Sequence, residues 1–169
     1  MRAVVLALVL PLVVPATMAV AADSDFKPAS SPGSYSSYRD NPAGAGGLKR
    51  HEVVTAVRDV TVYRLYDSRA PANSKVAARL GRYWTDYATS SEKSARDKLA
   101  VCKGWNNMQR VVRCTLPKGT KVVKGPGQDA KCAGLPGANS TAWHPGGPQQ
   151  IFIGDTSVLK GCKDADTGW

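Results

Sequence analysis

Two histidines and four cysteines in 169 residues leave little material for a metal centre. No two cysteines are close enough to form the C-x2-C half of a zinc site. P-loop, G-x-S-x-G and H-E-x-x-H patterns are all missing, which removes the usual signatures of phosphate cradling, serine hydrolysis and zinc peptidase chemistry. No internal repeat occurs. The longest apolar run, residues 3–14, is too short to anchor the chain in a bilayer. Acidic residues are scarce, with 13 Asp and Glu against 23 Lys and Arg and a formal charge of +10. That excess suits acidic partners, but the cations are scattered rather than clustered, so nucleic acid is the weaker choice among them.

What is present begins with a leader. Met1-Arg2 is a short positive start, residues 3–14 are apolar apart from Pro11, and Ala19-Val20-Ala21 is a small-residue cleavage site. Together these predict a secretory signal peptide over residues 1–21 and a secreted or periplasmic protein without a stable membrane anchor. Residues 22–48 are rich in Ser, Pro, Gly and Ala, which predicts a flexible arm, since so little apolar surface cannot offset the entropy of ordering it. Residues 49–169 are enough for a single globular domain. Its four cysteines, Cys102, Cys114, Cys132 and Cys162, predict two disulfides in an oxidising compartment. Three connectivities are open; Cys102 with Cys114 and Cys132 with Cys162 is favoured because the first pair brackets one turn and one strand and the second closes the end of the domain.

The local pattern is mostly strand. Residues 52–56 read as a short strand or helix, 60–66 as a strand, 75–80 as a helical turn and 81–85 as another short strand. Ser90 or Ser91 caps a helix over 92–100 with Leu99 inward. Residues 108–116 and 120–123 read as a hairpin-like pair about the Pro117-Lys118-Gly119 turn. A long loop, 134–148, then feeds a last strand at 149–153. The class is α+β: a small, β-rich, split-sheet domain with one or two short helices, stapled by disulfides.

Arg64 stands out within VTVYRLYDSR, because alternation puts it on one strand face with Val60 and Val62. An arginine on a face otherwise suited to burial wants an anion. The segments GRYWT, with Tyr83, Trp84 and Thr85, and GGPQQIFI, with Gln150, are the other places where polar or aromatic groups interrupt a strand pattern. Gln149 and Gln150 point to opposite faces, so only one of them can face a cleft.

In that order, VYRLYDSR, GRYWT and GGPQQIFI resemble the small secreted ADP-ribosyltransferase and NAD-glycohydrolase toxins, in which a split β core grips NAD with residues from three strands. VYRLYDSR is similar to the YR-x-DSR opening of the cholera and pertussis type transferases, with one extra residue between Arg64 and the DSR triplet. GGPQQIF is similar to the GGG-x-Q segment of the tuberculosis necrotizing toxin type of NAD hydrolase. The resemblance implies NAD as substrate and no metal. It implies that Arg64 binds a phosphate or braces the cleft, that Tyr83, Trp84 and Thr85 line the nicotinamide side, and that Gln150 sits beside the nicotinamide ribose. Arg64 and Gln150 are then the catalytic candidates, with Tyr83, Trp84, Thr85 and His144 as substrate-binding ones and a target-cell or immunity protein as partner. Transferases carry a glutamate where this chain has Gln150, which tilts the expectation toward hydrolysis; Glu92 and Asp155 are the other carboxylates to consider, both more simply surface residues. His51 and His144 on a basic domain suggest a secreted ribonuclease as a second reading, and a non-enzymatic, disulfide-stapled binding domain is the third.

Overall fold

The computed structural model describes residues 25–71, 78–132 and 149–167; the expected signal peptide, His144, the 134–148 loop and residues 75–77 of the expected helical turn at 75–80 lie outside the described residues, and 78–80 form a bend and turn rather than helix. Among the described residues, eight strands form two antiparallel sheets. The larger runs β1-β2-β6-β7-β4, and the smaller β3-β5-β8, where β1 is Phe26–Pro28, β2 Glu52–Ala56, β3 Val60–Tyr66, β4 Tyr83–Trp84, β5 Arg110–Leu116, β6 Lys121–Pro126, β7 Gln149–Phe152 and β8 Lys160–Asp166. Among the described residues one α-helix, α1, covers Glu92–Leu99. This is the split-sheet, disulfide-stapled α+β architecture that the alternating apolar runs imply.

The β-branched runs supply the space between the sheets. Val62, Val112, Val122 and Ile151 are fully buried in one cluster with Trp84 and Leu116. β3 begins with the alternation expected of a strand wet on one side, Val60, Val62 and Arg64 inward. It ends buried on both faces, because Leu65 is covered by Ala95 of α1 and by Met108. The Ser91 hydroxyl accepts from the Ser94 amide and caps α1. Ala100 ends the helix in the left-handed region.

Residues 110–116 and 121–126 are strands, but they do not pair with each other. β5 pairs with β3, and β6 with β2. The turn between them carries the chain from one sheet to the other: the Lys118 amide donates to Asp59 at 2.8 Å and the Gly119 amide to the Ala56 carbonyl at 2.8 Å. Both sheet-changing connections, 57–59 and 117–120, thus lie side by side at one corner. β8 has no apolar alternation and is exposed apart from partly buried Cys162, so its composition carries no strand signal. Its register against β5 and a disulfide hold it in place.

The expected disulfide pairing is corrected. Cys102 bonds Cys132, and Cys114 bonds Cys162. The expected pairing fails because β5 is extended, carrying Cys114 about 13 Å along the sheet from Arg110 and away from Cys102, to a position facing β8.

The flexible arm is corrected as well: residues 25–48 are packed onto the larger sheet. β1 pairs with β2, and Phe26 and Leu48 are buried. The Tyr35 hydroxyl accepts from the Gly154 amide at 2.8 Å, and Tyr38 packs 4.9 Å from Phe152. Buried Gln128 donates its amide to the carbonyls of Asn41 at 2.6 Å and Gly46 at 3.1 Å. Average composition misses this because four side chains and one glutamine anchor a segment whose remaining residues need only follow.

Candidate active site

A cleft of about 270 Å³ opens between the strands and the segment that follows α1. Arg64, Tyr83, Trp84, Thr85 and Gln150 all line it. They come from β3, from β4 and the residue after it, and from β7. These elements converge because β4 pairs with β7 and because Tyr63 and Thr85 exchange backbone hydrogen bonds of 2.8 and 2.9 Å, joining the two sheets.

Arg64 is almost completely buried. Its Nε donates to the Ala78 carbonyl and its Nη1 to the Tyr83 carbonyl, each at 2.8 Å. Burial pulls its pKa down to about 10. Gly81 lies directly over the guanidinium, and a β-carbon there would collide with it. The planar fork therefore holds the turn that delivers β4, and of the two roles implied for Arg64 the geometry favours the brace.

Tyr83 is half-buried and its hydroxyl meets the Asn41 side-chain amide at 3.3 Å. Trp84 is buried, with Nε1 donating to the Gly81 carbonyl at 2.7 Å, so it is a core tryptophan with one edge on the cleft. The Thr85 hydroxyl donates to the Tyr87 carbonyl at 2.7 Å. Gln150 is buried while Gln149 is exposed, as the two-residue strand period requires. The Gln150 Nε2 donates to the Leu99 carbonyl at 3.0 Å, which fixes the carboxamide plane and makes the end of α1 part of its support.

The opposite wall contains Leu99, Ala100, Val101, Trp105 and Asn106. Asn106 is buried, donating to the Leu65 carbonyl at 2.9 Å and accepting from the Met108 amide at 2.8 Å. Asn41, Ala45 and Gly47 of the packed arm contribute to the lining. The cleft is largely apolar and aromatic, with Tyr63, Tyr83, Tyr87, Trp84 and Trp105 around it. Burial, and then the neighbouring Asp86, push the Tyr87 hydroxyl well above the ordinary tyrosine range, so it stays neutral.

Glu92 and Asp155 do not line the cleft. Glu92 pairs with Arg96 at 2.7 Å along α1. Asp155 accepts from the Ser157 hydroxyl and amide at 2.7 and 3.0 Å. The lining carboxylate is Asp166 of β8, paired with Arg110 at 3.0 Å. Its strand is unreadable in the sequence, so it was missed. Trp105 was also missed, although a tryptophan amid the polar residues of KGWNNMQ is a usable signal. His51 is outside the cleft lining, with Nδ1 2.8 Å from Asp40. Among the described residues no group of three His, Cys, Asp or Glu side chains is arranged to hold a metal ion, and no helix is long and apolar enough to cross a membrane.

No family model matches the chain, and no curated protein matches it in sequence. The solved structure of Tne2 in complex with Tni2 is similar to it at 17% identity and a TM-score of 0.44, over 73% of this chain and 95% of that one.

Proposed function

We propose that this chain is an exported, toxin-like NAD glycohydrolase. The observation that carries the reading is the convergence of Arg64, Tyr83, Trp84, Thr85 and Gln150 on one cleft. The cleft is apolar and aromatic, and the Arg64 Nε and Nη1 are taken up by backbone carbonyls. It therefore suits the nicotinamide-riboside end of NAD, whose cationic pyridinium ring is attracted to aromatic faces, with the anionic pyrophosphate lying outside. The nicotinamide ring stacks on the aromatic wall, and water is excluded from one side of the ribose.

In the reaction the bond from C1′ of the ribose to the nicotinamide nitrogen breaks, and both electrons leave with neutral nicotinamide. Water adds to the oxocarbenium-like C1′ and releases a proton to solvent, giving ADP-ribose. Gln150, held by Leu99, orients the ribose hydroxyls or the attacking water through hydrogen bonds. An amide offers no charge to offset the developing cation, whereas a carboxylate would. The chain therefore favours transfer to water over transfer to a protein, and an inhibitory immunity protein is the partner such an activity calls for.

The test is to incubate oxidised protein with NAD and, separately, with RNA. Nicotinamide release that falls 10²–10³-fold in Gln150→Ala, about the effect of removing one positioned hydrogen-bonding group, with unchanged thermal stability, supports the reading. RNA cleavage with NAD unconsumed replaces it by the ribonuclease, and neither activity leaves a binding domain.

A further inference from the structure

The two disulfides do different jobs. Cys114–Cys162 joins neighbouring strands of the small sheet, where the β3–β5 and β5–β8 ladders already fix both partners. Cys102–Cys132 joins two stretches that share no ladder. One is the segment after α1, in which the Cys102 carbonyl accepts from the Trp105 and Asn106 amides and Asn106 ties the segment to β3. The other is the 128–132 segment, which carries the arm: the Gly46 amide donates to Asp129 at 3.0 Å, and the Lys131 amide to Gly44 at 2.8 Å. Each half contributes to the cleft, through Leu99, Ala100 and Trp105 on one side and Ala45 and Gly47 on the other. Besides the disulfide, the halves meet where Ala100, Cys102 and Ala130 are buried with Trp105 against them and where Gly46 sits on Trp105 and the Ala100 carbonyl.

We propose that Cys102–Cys132 is a redox latch on the cleft. Closed, it clamps the two halves of the wall and, through Leu99, holds Gln150 in place. A dithiol reductant opens it: two electrons and two protons pass to the cysteines, the S–S bond becomes two thiols, and the reductant closes to its own disulfide. The wall halves then part, while the two-sheet core, still bridged by Cys114–Cys162, stays folded. A segment with little ladder support opens locally at low cost, so this bond is the one that reductant reaches first. In a reducing cytosol the site stays off, and it assembles only in an oxidising compartment. The catalytic consequence rests on the NAD reading; the mechanical one does not.

Oxidised full-length mature protein is titrated with dithiothreitol, free thiols are alkylated and mapped, and amide exchange is followed on the same samples and on the Cys102→Ser/Cys132→Ser variant. Cys102 and Cys132 are expected to alkylate while Cys114 and Cys162 remain bridged. Exchange at Gly46, Lys131, Trp105 and Asn106 should rise at least tenfold, with Val62, Val112 and Val122 unchanged, and nicotinamide release should fall at least tenfold. Reduction of Cys114–Cys162 first, unchanged exchange in the wall, or loss of protection in the core overturns the latch. If the wild type consumes no NAD but the wall loosens as expected, the NAD reading fails and the latch stands.

Discussion

Arg64 separates two accounts of the cleft by stability alone. If it braces the 78–83 turn, then Arg64→Met, which keeps the length of the stem and removes the fork, leaves the buried Ala78 carbonyl and the partly buried Tyr83 carbonyl without their 2.8 Å donors. Each orphaned group costs about 1–3 kcal/mol. Relief from burying a cation whose pKa is already pulled down to about 10 offsets part of that. The expected net loss is roughly 2–4 kcal/mol, equivalent to on the order of 10 °C in Tm for a chain of this size. Arg64→Lys should fall between, because an ammonium on a flexible stem cannot hold both carbonyls in one plane. Urea and thermal melts of the oxidised proteins read the effect directly, and NAD binding by those molecules still folded should change little. A variant that melts like the wild type yet binds NAD tenfold or more weakly would show that the guanidinium serves the ligand, and the brace would be wrong.

Gly81→Ala tests the same brace from the other side: with no room between residue 81 and the guanidinium, it should cost at least as much as Arg64→Lys in a urea melt. Trp84→Phe removes the 2.7 Å bond to the Gly81 carbonyl and some ring volume, for an expected loss of about 2–3 kcal/mol by the same melts. Asp164 supplies a pH dependence. The Arg79 hydrogen bonds, 2.7 to 3.0 Å, hold its carboxyl below the ordinary 3.8, with Tyr66 adding to the effect and burial opposing it. A carboxyl depressed in the folded state adds stability that is complete above the unfolded value and lost as pH falls through the folded one. The Tm gap between wild type and Asp164→Asn should therefore be constant from about pH 5 to 8 and close below pH 4. A gap that persists at pH 2 would assign the effect to packing. Opening both disulfides should cost more than either alone, since loops of 30 and 48 residues correspond to roughly 3.6 and 4 kcal/mol in the chain-entropy account.

Strands that bury a β-branched face were legible because their period is local. Val60, Val62 and Arg64 share a face, α1 starts at its serine cap, and Gln150 rather than Gln149 turns inward. β8 was not legible: KGCKDAD has no apolar alternation, and it is a strand only because β5 and Cys114 are beside it. The β5–β6 connection has hairpin chemistry in sequence, yet the partner of each strand is set across the corner by β3 and β2, a non-local choice that no turn residue encodes. The disulfides failed for the same reason, since pairing follows the distance between β-carbons in the fold and not along the chain.

The arm changes what the cleft is. Read by composition, residues 22–48 are a tether, and the site would belong to the β core alone. Packed, residues 25–48 place Asn41 against the Tyr83 hydroxyl and Ala45 and Gly47 along the cleft, so one boundary of the cleft is made by a segment with little apolar surface of its own. Beyond the burial of Phe26 and Leu48, such a boundary is held by specific contacts: Gln128 on three carbonyls, tyrosines on Phe152, and a positive φ at Gly47 where a β-carbon would meet Asn41. The arm and the segment after α1 share no ladder across this boundary, and a boundary without ladder support opens locally at low cost; this is the condition under which a single covalent bond, Cys102–Cys132, decides whether the wall is closed. Strand-borne Arg64, Trp84 and Gln150 give the site its rigid half, and the arm with the segment after α1 gives the half whose closure depends on oxidation.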